Sequence, residues 1–182
     1  MRHPDNAQVL DTLGTLATAL GQARTLAPVW EAADTALQAL YGHQLFTILS
    51  FNAEARLLQR LYSSRPDINP VGGIKRVTSS PWVDRVLVQG AGYTGSSPAD
   101  LASVFSDHAL LTGHRLGSVL NVSVWSGGVV VGSLNLLDGA SHYDTAALAP
   151  ARVVAQLLAP ALTEAALSLD ARLPPGVALE SV

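Results

Sequence analysis

Residues 117–138 read GSVLNVSVWSGGVVVGSLNLLD. Two runs rich in β-branched and apolar residues, 117–125 and 129–137, flank Ser126-Gly127-Gly128, and paired glycines tolerate the positive dihedral angles of a tight hairpin turn. Two antiparallel strands are therefore predicted. Residues two apart share a face of a strand, so Leu120, Val122, Val124, Val130, Leu134 and Leu136 form an apolar face suited to packing under helices. Val119, Asn121, Ser123, Trp125, Ser133, Asn135 and Leu137 share the other face. Asn121, Ser123, Ser133 and Asn135 are uncharged hydrogen-bonding groups that are costly to bury without partners. A ligand, ordered water or the backbone of a covering segment would supply those partners.

The flanking sequence supplies elements for both faces. On the N-terminal side, Val9, Leu13, Leu16 and Leu20 recur at spacings of four, three and four, which predicts a helix over 5–21. Val29, Ala33, Ala36, Leu37 and Leu40 predict a second helix over 28–41, with Pro28 in its first turn and Gly42 ending it. QLFTILSF (44–51) and LLQRLYS (57–63) read as a second hairpin around the loop 52–56. Residues 64–116 carry most of the prolines and glycines outside the strands and read as loops and short helices. Ser80-Pro81 and Ser97-Pro98 are helix starts there, because the serine oxygen accepts an orphan amide and the proline lacks one. Asp144 starts a long alanine- and leucine-rich helix towards Leu169, which Pro150 and Pro160 should kink or break. Residues 173–182 read as a frayed tail.

The order helix, helix, strand, strand, irregular middle, strand, strand, helix is an α+β plan. With LFTILSFNAEARLLQRLYSS (45–64) as opening hairpin, residues 117–138 as closing hairpin with internal Gly132, and SHYDTAALAPARVVAQLLAPAL (141–162) after it, the chain resembles the GAF domain, a small-molecule sensing module related to PAS domains. The resemblance implies a central antiparallel sheet of five or six strands, with the first and last adjacent in its middle. Terminal helices would pack on one face, and the 64–116 segment would cover the other and close a pocket. It also implies one domain over 25–170, preceded by a packing or dimerisation helix (1–24) and followed by a tail (171–182). Pairing through the terminal helices would make a homodimer. In that frame the candidate ligand-binding residues are Asn121, Ser123, Ser133 and Asn135 on the strands, with Trp82, Tyr93, Asp107 and His108 from the cover. Asp107 alternatively caps the short segment before Leu111, Tyr93 anchors its loop between glycines, and Trp82 is a core aromatic of its short helix.

Composition narrows the function. The 182 residues contain no cysteine. That removes disulfides, thiolate metal sites, covalent bilin attachment and the cysteine chemistry of the free methionine sulfoxide reductases that share the GAF fold. Val119, Asn135 and Leu137 also stand where such a reductase carries acids. His3, His43, His108, His114 and His142 show no metal-site spacing, and no serine-nucleophile motif occurs. No enzyme activity, cofactor or metal is expected. Eleven Lys and Arg against fourteen Asp and Glu leave a net charge of -3, so a nucleic-acid partner is not expected. Neither a secretory signal nor a membrane-spanning run is read, which predicts a cytoplasmic protein without membrane contact. No output domain is read after the last helix, so a signal would pass through a homodimer or a separate partner protein. Arg56, Arg60, Arg65, Lys75, Arg76 and Arg85 cluster within residues 56–85, with Gly72-Gly73 beside them. The cluster is either a solvated surface or the entry for an anionic ligand. The reading is a sensor for a small polar or anionic metabolite, and the alternative is a ligand-free dimerisation or protein-interaction module.

Overall fold

A computed structural model describes residues 4–169 of the chain. The predicted tail, 171–182, lies outside the described residues. Asp5 accepts the Gln8 amide and starts α1 (Asn6–Gln22), and Thr25 precedes α2 (Leu26–Tyr41). The first hairpin is β1 (Leu45–Asn52) and β2 (Leu57–Ser63), the second β5 (Ser118–Ser126) and β6 (Val129–Asp138). Two further strands, β3 (Ile74–Arg76) and β4 (Tyr93–Gly95), lie in the segment read as loops and short helices. Each has three residues, too short for any alternation to be read, and each takes its conformation from the strand it edges. The sheet is antiparallel with the order β3-β2-β1-β6-β5-β4, so the first and last long strands meet in the middle.

The closing turn has the expected geometry, with Gly127 and Gly128 at φ 58° and 82°. One face assignment is corrected by a bulge. Val124 pairs with Gly132 and Trp125 with Val130, which makes Val131 the extra residue and shifts the alternation of β6. Val131 consequently packs on the helix side, and Val130 joins the cluster under the cover. Gly132 lies where helix and sheet approach most closely. A β-carbon there would stand 2.2 Å from the Leu49 carbonyl oxygen and 2.4 Å from Leu162 Cδ2.

The terminal helices α1, α2, α5 (Leu148–Leu157) and α6 (Ala159–Leu167) share one core with Phe46, Ile48, Leu120, Val122, Leu134 and Leu136. Each such fully buried side chain contributes about 1.5–3 kcal/mol. In α5, α6 and the residues that follow, Val154, Leu158, Ala165 and Leu169 are buried and Ala161 is half-buried. The long helix begins at Leu148 rather than Asp144. Pro150 falls in its first turn, where a missing amide donor costs nothing, and Pro160 opens α6 after the break at Leu158. No side chain caps α5 from within its own sequence. Tyr41 at the end of α2 does this, accepting the Ala151 amide (2.9 Å) and donating to the Ala147 carbonyl (2.7 Å). Burial pushes the Tyr41 hydroxyl up to about 12, which keeps it protonated and able to donate.

A second polar contact ties α2 to the sheet. Tyr62 donates to Asp34, and His43 Nε2 stands 3.0 Å from the other carboxylate oxygen, off the hydrogen-bond axis. Burial raises the Asp34 carboxyl, but His43 and Tyr62 outweigh it and hold it below its ordinary value of 3.8. A depressed folded value gives stability that is complete above pH 3.8 and disappears as pH falls through that folded value. Asp34→Asn should therefore destabilise the protein at pH 7 by about 1–3 kcal/mol, and the deficit should shrink below pH 4 in urea titrations run as a pH series. Tyr41→Phe strands the Ala147 carbonyl and the Ala151 amide, and should cost about 1–3 kcal/mol in the same assay.

Candidate functional site

The face of the sheet opposite the terminal helices lies under residues 64–116. Ser80 Oγ accepts the Val83 amide, as the Ser80-Pro81 start implies, but the turns that follow, Val83–Val88, wind as a π-helix. Val83, Val86 and Leu87 are buried by it against Leu49, Phe51 and Val130. Ser97 and Asp100 form a reciprocal capping box at α3 (Pro98–Val104), which holds the Asp100 carboxyl below its ordinary value through the Ser96 amide and the Ser97 side chain. Helix α4 (His108–Gly113) follows.

The polar residues of the covered face are bonded largely to this cover and to one another. Trp82 Nε1 donates to Asn121 Oδ1 (3.2 Å), Asn121 Nδ2 to Asn135 Oδ1 (2.7 Å), and Asn135 Nδ2 to Thr47 Oγ1 (3.3 Å). Ser123 donates to the Val86 carbonyl at 2.8 Å. Ser133 Oγ is buried without a partner. The covering backbone and side chains are thus the partners of Asn121 and Ser123.

Beside this ladder is a cavity of about 210 Å³ between sheet and cover. Its floor is Thr47, Leu49, Leu58, Arg60, Asn135 and Leu137, and Asn69, Trp82, Phe105 and Asp107 form its walls, with Lys75 also lining it. Of the predicted site residues, Asn135, Trp82 and Asp107 line this cavity. Asn121 and Ser123 border a second one at the β5 edge, and Ser133, Tyr93 and His108 line neither. Tyr93 instead anchors its loop, donating to the Asp100 carbonyl at 3.3 Å with Arg85 over its ring, and His108 Nδ1 contacts the Phe105 carbonyl. Trp82 and Phe105 face each other with ring centroids 6.1 Å apart.

Arg60 reaches the cavity because it lies two residues after Leu58 and pairs with Leu49, both on the covered face, and a second bulge follows it. Leu49 pairs with Arg60 and Ile48 with Tyr62, so Leu61 is extra. Leu58 and Arg60 stay on the covered side, while Leu61 and Tyr62 both pack on the helix side. Arg60 Nη1 donates to the Pro70 carbonyl at 3.0 Å, but its Nε is buried with no hydrogen-bond partner. Burial pulls the Arg60 guanidinium down, and the charge of Asp107 partly restores it. Asp107 stands at the N-cap position of α4, as the sequence suggested, yet its side chain makes no capping bond and lines the cavity. Asn69 is 9% exposed, lines the cavity and makes no side-chain hydrogen bond among the described residues.

The other arginines of the cluster behave differently. Arg56 donates to the Val77 and Thr78 carbonyls, Arg85 to the Gly92 carbonyl, and Arg65 pairs with Asp67 at 2.7 Å. They staple loops. Among the described residues no group of three His, Asp or Glu gathers to hold a metal, and no helix is long and apolar enough to cross a membrane.

No protein-family model and no curated protein sequence matches the chain. Solved structures do. The GAF domain of an Acinetobacter phosphoenolpyruvate-protein phosphotransferase is similar with a TM-score of 0.70 at 16% identity, over 94% of this chain and 99% of that one. The GAF domain of a two-component sensor histidine kinase from Bacillus halodurans gives 0.61 at 18% identity, covering 80% and 98%. A free methionine-R-sulfoxide reductase from Neisseria meningitidis, solved with its substrate, gives 0.61 at 11%, covering 92% and 97%. The chain has the GAF fold, as its hairpins and helix order implied.

A half-buried guanidinium whose Nε is buried without a partner contributes little to the stability of the folded state. Arg60→Met should leave the ligand-free protein as stable as the parent, or up to about 1 kcal/mol more stable, in urea denaturation at pH 7. A loss above 2 kcal/mol would make Arg60 a structural residue, with its bond to Pro70 carrying the role.

Proposed function

We propose that this protein is a non-enzymatic sensor that binds a small polar or anionic metabolite in the cavity between the sheet and the 64–116 cover. The observation that carries this reading is a cavity that brings Arg60, Lys75, Asn69 and Asp107 together with the rings of Trp82 and Phe105, with the Asn69 side chain making no hydrogen bond among the described residues. Small-molecule sites combine apolar and aromatic walls with convergent polar groups, and this cavity has both. The cavity, about 210 Å³, suits a small acid.

Function follows from which contacts a ligand completes. A carboxylate accepting from the Arg60 guanidinium and from Asn69 bridges β2 to the 64–116 segment, and so favours the closed cover over open forms. Trp82 carries the same ordering to Asn121 and Asn135 in the middle of the sheet. The terminal helices on the opposite face would relay it across a homodimer or to a separate partner protein. The chain's lack of cysteine means that its own residues supply no thiol for the reductase chemistry named for one structural neighbour.

A thermal-shift and calorimetric panel of small monocarboxylic acids, keto acids, amino acids and cyclic nucleotides tests the reading. Saturable stabilisation by at least one small acid, weakened tenfold or more in Arg60→Met and in Asn69→Leu, is the expected result. A parent protein unmoved by the whole panel, or a ligand whose affinity ignores both substitutions, would contradict it.

A further inference from the structure

We propose that the outer edge of β5 receives an extended acidic segment of a partner protein, one residue of which pairs with the main chain of Ser123 while its neighbour, an Asp or Glu, meets Arg152. The site is the second cavity, of about 280 Å³, at the β5 edge, and is separate from the cavity under the cover.

The edge is closed at both ends and open between them. In β6, Leu137 turns its carbonyl to the Gln44 amide before β1, and Asp138 turns its own to the Gly117 amide before β5. Even-numbered residues of β6 therefore face β5 and pair there with its even-numbered residues, so the main chain of Val119, Asn121, Ser123 and Trp125 points outward. β4 covers the first two, since Gly95 pairs with Val119 and Tyr93 with Asn121. At the far end Gln156 acts as a strand residue would. Its side-chain amide, assigned the orientation that forms both bonds, donates to the Trp125 carbonyl (3.0 Å) and accepts the Trp125 amide (3.2 Å). Ser123 lies between these two closures. Two more residues of β4 would bring Ala91 opposite it, but Gly90 and Gly92, at φ 60° and 69°, turn the chain away, and the Ala91 amide bonds to the Arg85 carbonyl. No hydrogen bond reaches the outward main chain of Ser123 among the described residues, although Ser123 is only 5% exposed. Buried main-chain groups are almost always paired, and this one borders a cavity.

Charge selects the occupant. α5 packs along β5, and one helical turn from Arg152 to Gln156, about 6 Å, matches the two strand residues from Ser123 to Trp125, about 6.6 Å. Arg152 consequently stands beside Ser123 as Gln156 stands beside Trp125. It is exposed, lines the cavity and makes no hydrogen bond or ion pair with any described residue. Arg85, which donates to the Gly92 carbonyl, adds positive charge from the cover, and no acidic residue lines the cavity. The Ser123 side chain points to the cover, where it bonds to the Val86 carbonyl. A residue added opposite Ser123 points the same way, and its neighbours in the added strand point to α5, where a carboxylate meets Arg152. A main-chain pair of donor and acceptor with a charge one residue away is the recognition pattern of strand addition to a sheet edge.

The probe is the blocked peptide acetyl-Val-Glu-Ala-Glu-Val-amide, titrated into the isotope-labelled full chain while the Ser123 amide resonance is followed. The comparison peptides replace both Glu by Lys, or carry an N-methyl group on the Ala that cannot donate to the Ser123 carbonyl. The acidic peptide should move the Ser123 signal saturably, and both comparison peptides should bind at least about fivefold more weakly. Arg152→Glu, at an exposed position, should reverse the order of the acidic and Lys peptides without unfolding the chain. A Ser123 signal unmoved by millimolar acidic peptide would overturn the proposal. Equal binding of the N-methylated peptide would overturn the strand pairing, and a peptide order unchanged by Arg152→Glu would overturn the role of Arg152. The same shift produced by sodium acetate would make the occupant a small anion, and one produced by raising the protein concentration alone would make it a second copy of this chain. Either result overturns the assignment to a partner protein.

Discussion

Everything in this molecule depends on the ladder between β1 and β6, in which Leu45–Ser50 pairs with Gly132–Leu137 across more than eighty residues of intervening chain. That pairing is costly in loop-closure entropy and is favourable only because both faces of the joined strands are then buried. One face receives α1, α2, α5 and α6. Gly132 allows α6 to lie directly on the ladder, and Tyr41 fixes α2 to the first turn of α5. The other face receives the long excursion 64–116, whose ends the same ladder holds at the sheet.

The two faces differ in chemistry for this reason. Helices can fill a face with hydrocarbon alone, and Phe46, Ile48, Leu120, Leu134 and Leu136 accept it. An irregular cover brings unsatisfied backbone groups with it, so the face beneath it must bond as well as pack. Asn121, Asn135, Ser123 and Thr47 do this through Trp82 and Val86. Where the cover does not fill the space, the cavity remains, lined by Arg60, Asn69 and Asp107 among others.

Much of this architecture is legible in the sequence because periodicity carries it. The Gly127-Gly128 turn, the alternation along β5 and the stripes of α1 and α2 are local patterns of apolar residues, and each produced its element. What escaped was set by neighbours. The strands β3 and β4 exist only as edges of β2 and β5. The bulges at Leu61 and Val131 follow from ladder registers that no local pattern announces. The site was half legible. Trp82, Asp107 and Asn135 were singled out and line the cavity, while Asn69 gave no signal and Arg60 was one of six basic residues of equal apparent standing. Its difference from Arg56, Arg65 and Arg85 is that it alone lies within a strand on the covered face, two residues after Leu58.

The central claim is that the Arg60 guanidinium receives a carboxylate in the cavity between sheet and cover, and its own Nε–H resonance reports this most directly. In a nitrogen-proton correlation spectrum, the Arg60 Nε–H signal, assigned by its loss in Arg60→Met, should move saturably as a binding acid is added, in step with the calorimetric titration. A signal that stays fixed while a ligand saturates the protein and shifts residues elsewhere would contradict the account.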